Sequence, residues 1–362
     1  MKYFLYGPSG SGKSTLGKLL AERWNIPWID LDQRIEQDVN QNIESIFQQR
    51  GEASFRELET STLRRLLSTD QSMVVSLGGG ALLADPNRLA ALEHGQVVVL
   101  SAQPDTLLAR LQADSNARPL LKGDARQRLT DLLARRHDHY QSFGAPLITD
   151  GLKPEEIVRE LQIRFGRFHL TGMDKPYDVL IGDGRLDQLG NLLSERNLNR
   201  TAVVVCDHHV EPLYSHRVLT LLADSGIGVS KIILPAGEEH KTVQTVSGLW
   251  ESFVTIGLER QSMVVALGGG VIGDLAGFAA ATFMRGVPWI NLPTTLLSMV
   301  DSSLGGKTGA DLPQGKNLIG AFHAPSLVLS DPTVLQTLPA AELQNGMAET
   351  IKHGVVADPQ LF

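Results

Sequence analysis

A chain of 362 residues with 42% hydrophobic side chains carries enough apolar material for two cores, so two domains are the starting expectation. Its 33 Lys and Arg against 40 Asp and Glu leave a formal charge of -7, which argues against nucleic acid or an anionic membrane as a partner and confines any anion site to a local pocket. The single cysteine, Cys206, excludes an internal disulfide and a thiol-rich zinc or redox centre, and reads as an inert, partly buried thiol.

The N-terminal MKYFLYG runs into a glycine loop with no signal-type apolar segment, and no run reaches about 18 apolar residues, so the expected setting is cytoplasmic. Short apolar runs then alternate with amphipathic stretches. KYFLY precedes the helix GKSTLGKLLAERW, MVVSL a polar helix, and VVVLS the helix PDTLLARL; GAPLITD and the helix KPEEIVRELQIRF follow. At 166 GRFHL opens a fresh series, with strands DVLIG, TAVVVCD, SKIILPAG, SMVVALGGG, VPWINLP and SLVLSD and helices such as TVSGLWESFVTIG between several of them. Strands alternating with helices predict an α/β protein, with a parallel sheet in each of two domains, 1–165 and 166–362.

QSMVVSLGGG at 71–80 returns as QSMVVALGGG at 261–270. A duplicated domain should repeat the surroundings too, yet the first copy continues into ALLADPNRLAALEHG and the second into VIGDLAGFAAATFMRG. Convergence is the more economical reading: a buried strand ending where backbone must approach a ligand.

GPSGSGKST, residues 7–15, fits the phosphate-loop pattern GxxxxGK[ST] between a strand and a helix. Gly7, Gly10, Ser11, Gly12 and Thr15 shape the cradle, Lys13 reaches the β and γ phosphates of ATP, and Ser14 offers a hydroxyl to Mg2+. In DLD at 30–32, Asp30 and Asp32 are expected on one face of an extended strand end. His137 and His139 have no metal-type partner set and are expected at the surface. These motifs, with SFRELE at 54–59, SLGGG at 76–80, NARPLL at 116–121 and LLARRHDHY at 132–140, make residues 1–165 resemble shikimate kinase. The resemblance implies a P-loop kinase fold, Asp30 in the Mg2+ shell through water, and Asp32 orienting the acceptor hydroxyl and taking its proton. It also implies that Arg56 and Arg136 bind the shikimate carboxylate beside Glu59, Gly79 and Gly80, and that Arg118 reaches the ATP from a lid-like segment.

In the second half, GGGVIGD follows a strand and opens a helix, where amides approach a pyrophosphate. LPAGEEHKT at 234–242, ALGGGVIGDLAGFAAATFMRG at 266–286, PTTLLSMVDSSLGGKTGAD at 293–311, GKNLIGAF at 315–322 and NGMAETIKHG at 345–354 make this half resemble the N-terminal part of 3-dehydroquinate synthase. That family implies a Rossmann-like NAD-binding domain with Asp207, Glu238, Lys241, Gly269, Gly270, Asp274, Thr294, Thr295 and Lys316 on the cofactor. Glu238 and Lys241 also read as an ordinary helix-start ion pair. For the substrate, 3-deoxy-D-arabino-heptulosonate 7-phosphate, it implies Arg285, Lys307, Asn317 and Lys352 opposite carboxylate and phosphate, and Asp301 at the hydroxyls. The family's metal, Zn2+ or Co2+, takes Glu349 here; its two histidine ligands lie in a C-terminal helical domain that follows, which this sequence lacks, and His353 is a poor substitute. A fragment of a longer fusion is the expected explanation, a degenerate synthase module the alternative, and a homodimer through this half is compatible with either. The function expected is a shikimate kinase fused to 3-dehydroquinate synthase, with a monofunctional kinase carrying an NAD-binding or dimerising module, or another small-molecule kinase, as the competing readings.

Overall fold

The computed structural model describes residues 1–113, 124–173, 175–198, 200–358 and 361. They fall into two compact units, Met1–Phe165 and Gly166–Phe362. No helix among the described residues is long and apolar enough to cross a membrane.

The first unit runs β1 (Lys2–Tyr6), α1 (Lys13–Trp24), β2 (Trp28–Asp30), α2 (Leu31–Val39), α3 (Ile43–Leu67), β3 (Met73–Ser76), α4 (Asp85–His94), β4 (Gly95–Ser101), α5 (Pro104–Ala113), α6 (Ala125–Gln141), β5 (Leu147–Ile148) and α7 (Pro154–Phe165). Its parallel sheet has the order β2-β3-β1-β4-β5. Strand β1 is central and every residue in it is buried, because both faces of a parallel sheet are covered. Alternation sends Tyr3 and Leu5 to the face of α1 and α7, where Tyr3 packs on Trp24 and Phe165, and sends Phe4 and Tyr6 to the face holding Phe55, Leu63 and Tyr140. Each such aromatic side chain contributes about 2 kcal/mol by burial. Tyr6, last on the strand, thereby ends behind the loop that leaves β3.

The second unit runs β6 (Arg167–Leu170), β7 (Tyr177–Ile181), α8 (Leu189–Glu195), β8 (Ala202–Asp207), α9 (His216–Asp224), β9 (Val229–Leu234), α10 (Val243–Ile256), β10 (Met263–Gly268), α11 (Gly270–Thr282), β11 (Trp289–Pro293), β12 (Lys307–Leu312), β13 (Gly315–Phe322), β14 (Leu327–Ser330) and α12 (Ala340–Val356). Its seven-stranded sheet has the order β6-β7-β14-β11-β10-β8-β9. From β8 the chain goes outward to β9 and returns to β10 on the other side of β8. Such a reversal opens a crevice at the strands' C-terminal ends, where Asp207 and Gly268 stand.

Two features depart from the strand–helix alternation expected. Strand β6 is antiparallel to β7, since the six residues between them are too few for a crossover. KTGADL and GKNLIGAF, expected only as ligand motifs, form the antiparallel hairpin β12–β13, which a bridge from Asp311 to Thr242 holds near α10.

Candidate active sites

In the first unit the chain turns so tightly after β1 that a Cβ on Gly7 (φ 131) would strike the Leu100 carbonyl of β4. Buried Ser11 braces the loop by donating from Oγ to the Pro8 carbonyl at 2.8 Å, and Gly12 (φ 95) caps α1. Lys13 Nζ lies across the loop, 2.8 Å from each of the Gly7 and Pro8 carbonyl oxygens. Gly10 packs on α5, and Thr15 is exposed.

The expectation for the paired aspartates is corrected. Strand β2 stops at Asp30, whose Oδ1 caps α2 by accepting from the amides of Asp32 and Gln33 at 3.1 and 3.2 Å. The two carboxylates therefore share no strand face. Asp30 Oδ2 accepts from Ser14 Oγ at 2.5 Å, and this hydroxyl–carboxylate pair suits a hard divalent cation such as Mg2+. Asp32 turns instead to residues 78–80, where a Cβ on Gly78 would stand 2.8 Å from its Oδ1 and 3.2 Å from Glu59 Oε1.

Around that glycine loop the helices supply cations. Arg56 Nη1 donates to Glu59 Oε2 at 2.8 Å, and a Cβ on Gly80 would lie 2.9 Å from Arg56 Nη2. Glu59 is 1% exposed, and its Oε1 lacks a hydrogen-bond partner among the described residues. Burial raises its pKa against the opposing pull of Arg56. Arg136 Nη1 and Tyr140 OH each donate to the Gly79 carbonyl at 2.8 Å, and Tyr6 OH stands 3.3 Å from the same oxygen. Sequence reasoning missed Tyr140, although it lies one helical turn after Arg136 on the same face. It also misplaced His139, which is half-buried against Tyr6 and Phe143 with Nε2 3.1 Å from Tyr6 OH; His137 is exposed as expected. Arg118 lies outside the described residues.

In the second unit, Gly269 caps α11 and Gly268 accepts from the Thr294 amide at 2.9 Å. Gly269 abuts Thr295, and a Cβ on Gly270 would stand 2.9 Å from Ser302 Oγ. Thr294 Oγ1 and Ser302 Oγ have no hydrogen-bond partner among the described residues, so this crevice offers unused hydroxyls beside a helix N-terminus. Lys241 Nζ meets Asp274 Oδ2 at 2.5 Å and Asn317 Oδ1 at 2.6 Å, while Glu238 pairs with Lys316 at 3.0 Å. The Glu238 and Lys241 side chains thus form no ion pair with each other. Burial raises the pKa of Asp274, with Lys241 opposing. Asp207 Oδ1 accepts from the amides of His209 and Val210 at 2.8 and 3.0 Å at the end of β8. These glycines, hydroxyls and charges fit a dinucleotide.

Alternating charges continue outward: Lys307 faces Asp301 at 3.3 Å, Asp301 acts on Lys352, and Lys352 pairs with Glu349. Arg285 sits in an exposed turn at φ 69, and no hydrogen bond or ion pair ties it to this series among the described residues. Glu349 Oε1 also has His353 Nε2 at 3.5 Å, but no three His, Cys, Asp or Glu converge among the described residues. They do not make a catalytic zinc site, which takes three protein ligands.

Residues 9–165 match the family model described as shikimate kinase, and residues 231–345 the one described as 3-dehydroquinate synthase N-terminal. Over 191 residues the chain is 51% identical to a 3-dehydroquinate synthase of Symbiobacterium thermophilum, covering 52% of this chain and 53% of that protein. The chain spans about half the length of the curated relatives it matches. Among solved structures, 2-deoxy-scyllo-inosose synthase is 29% identical with a TM-score of 0.50, covering 52% of this chain and 53% of that one. A shikimate kinase from Acinetobacter baumannii in complex with shikimate is 34% identical with a TM-score of 0.42, covering 45% of this chain and 92% of that one.

Proposed function

We propose, from the premise that the chain belongs to the shikimate kinase family over residues 9–165 and to the 3-dehydroquinate synthase family over residues 231–345, that it serves chorismate biosynthesis through two separate small-molecule sites. The first unit, Met1–Phe165, transfers the γ-phosphoryl group of ATP to a hydroxyl of shikimate. The second, Gly166–Phe362, binds NAD and a phosphorylated sugar acid.

In the kinase reading, the amides of residues 7–12 and the N-terminus of α1 hold the phosphates, and Lys13 exchanges its carbonyl partners for β and γ phosphate oxygens. Ser14, and Asp30 through water, would hold Mg2+, which would supply charge neutralisation at the phosphates. Asp32 orients the acceptor hydroxyl and takes its proton, while Arg56 and Arg136 hold the carboxylate. The observation that carries this reading is the shared wall between donor and acceptor. A Cβ on Gly79 would lie 3.2 Å from the Gly7 carbonyl oxygen, so the arginine-ringed loop abuts the phosphate loop. The test is ADP release by the purified chain with ATP, Mg2+ and shikimate. Release that ignores shikimate, or a nucleoside acceptor that outperforms it, overturns the reading. Arg136→Ala should abolish the preference for a carboxylate-bearing acceptor.

In the second unit the glycines at 269 and 270, Thr294, Thr295, Asp207, the Lys241–Asp274 pair, Glu238 and Lys316 would hold NAD. NAD bound there would supply a hydride acceptor. Lys307, Lys352 and Asn317 face the carboxylate and phosphate of 3-deoxy-D-arabino-heptulosonate 7-phosphate, and Asp301 its hydroxyls; Arg285, past the C-terminal end of α11, stands apart from them. The competing reading, a kinase carrying an NAD-binding module that does not turn over, requires that no three-ligand zinc set close around Glu349 in this chain. Metal analysis after desalting from excess Zn2+ should find well under one zinc per chain. Stoichiometric zinc with dehydroquinate formation would remove that second reading. A cytoplasmic homodimer, joined through the second unit, is the setting these families imply.

A further inference from the structure

The Gly79 carbonyl is oversubscribed. Its oxygen has two lone pairs and three donors in reach: Arg136 Nη1 and Tyr140 OH at 2.8 Å, and Tyr6 OH at 3.3 Å. Tyr6 has a second choice, His139 Nε2 at 3.1 Å, and a phenol has one proton to give. We propose that Tyr6 and His139 are positioning residues for acceptor binding, acting through the Gly79 carbonyl on Arg136; this rests on the kinase reading of the first unit.

With His139 neutral and protonated on Nδ1, Nε2 takes the Tyr6 proton, and the Gly79 oxygen keeps two donors for two lone pairs. Arg136 is then held against the loop in one place. With a proton on Nε2, His139 donates to the Tyr6 oxygen, and the phenol proton must turn to Gly79 as a third donor. Crowding loosens Arg136 and Tyr140, and with them the guanidinium that faces the acceptor's carboxylate. Burial and the neighbouring tyrosine hold the Tyr6 phenol far above its ordinary pKa, so it remains a donor throughout. Burial, then Arg88 and Arg136, lower the pKa of His139, while Asp85 opposes them. The groups facing the ring are thus Tyr6 from β1, Arg88 and Asp85 from α4, and Arg136 and Tyr140 from its own helix. The lowered pKa favours the neutral ring at neutral pH, and the two-donor state is that ring's Nδ1–H tautomer.

Packing alone would not require this chemistry. His139 stacks edge-on with Tyr6 and Phe143, at centroid distances of 5.8 and 5.3 Å, and a leucine would fill such an apolar site well. The test therefore opposes shape to hydrogen bonding. Steady-state kinetics of the whole chain are measured with shikimate varied at saturating MgATP, then with MgATP varied, from about pH 5.5 to 7.5, around the ordinary histidine pKa. His139→Leu leaves the Tyr6 proton only the Gly79 carbonyl and should raise the KM for shikimate by about three- to tenfold, the size of one neutral hydrogen bond, with kcat and the KM for ATP within about twofold; Tyr6→Phe removes the third donor and should keep the neutral-pH KM of wild type. His139→Gln, whose amide oxygen stands in for Nε2, should restore the KM at neutral pH. Wild type should show a KM for shikimate that rises as pH falls; Tyr6→Phe and His139→Gln should lose that rise. The inference is overturned if His139→Leu matches wild type while His139→Gln does not, or if all three variants keep the wild-type KM and pH profile. A wild-type chain that does not phosphorylate shikimate would instead sink the kinase reading itself.

Discussion

Lys241 Nζ meets Asp274 Oδ2 at 2.5 Å, joining the turn before α10 to the second turn of α11 with only 6% and 17% of the two side chains exposed. Removing one partner strands a buried charge. Lys241→Met should therefore cost about 3–5 kcal/mol of stability and weaken NAD binding at least tenfold, read by urea unfolding and NAD titration. The neutral pair Lys241→Met with Asp274→Asn should recover most of the stability and none of the NAD affinity. Recovery of both would show that the pair is structural only.

Asp30 has two separable duties, one oxygen on the α2 amides and one on Ser14. Asparagine caps a helix as well as aspartate but brings no charge. Asp30→Asn should unfold like wild type while needing about tenfold more Mg2+ for half-maximal kinase rate. Asp30→Ala should add a loss of about 1 kcal/mol in unfolding free energy. Equal Mg2+ dependence in wild type and Asp30→Asn would remove Asp30 from the metal shell.

Asp32 lies beside the glycine loop at 78–80, next to Glu59 and Gly78. Asp32→Asn should lower kcat by about 10²- to 10⁴-fold, with the KM for ATP little changed, because only proton acceptance is lost. Near-normal turnover would mean that Asp32 takes no part in proton transfer.

Burial raises the pKa of Glu59, with Arg56 opposing. Below the ordinary glutamate value of about 4.3 both the folded and unfolded chains hold this proton. Above it the unfolded chain releases the proton first, so Glu59's contribution to stability falls as pH rises through its raised folded pKa. Glu59→Gln cannot titrate. The wild-type minus variant stability, from urea midpoints between about pH 4 and 7, should decline with rising pH; a flat difference would mean the site does not shift Glu59.

Much of this architecture was legible in the chain. The burial of β1 and β10, the helices after each phosphate- or dinucleotide-type turn, and the places of Lys13, Ser14, Gly269 and Asp274 follow from apolar periodicity and glycine punctuation, which operate over a few neighbouring residues. The decapeptides at 71–80 and 261–270 show where that reach stops. Both form a buried strand and a glycine turn, yet α11 begins within the second triplet while the first leaves its carbonyl to Arg136, Tyr140 and Tyr6.

Only the tertiary structure separated Asp30 from Asp32, brought Lys241, Asp274 and Asn317 together, and set Tyr6 against His139, 133 residues away. Strand-to-helix transitions one residue long and contacts between distant elements depend on which strand neighbours which, and sheet order leaves no local periodicity to read. The amino-acid sequence by itself determined where the strands, helices and glycine turns fall, because these follow from local periodicity. Sheet order and helix starts decided which of their residues meet.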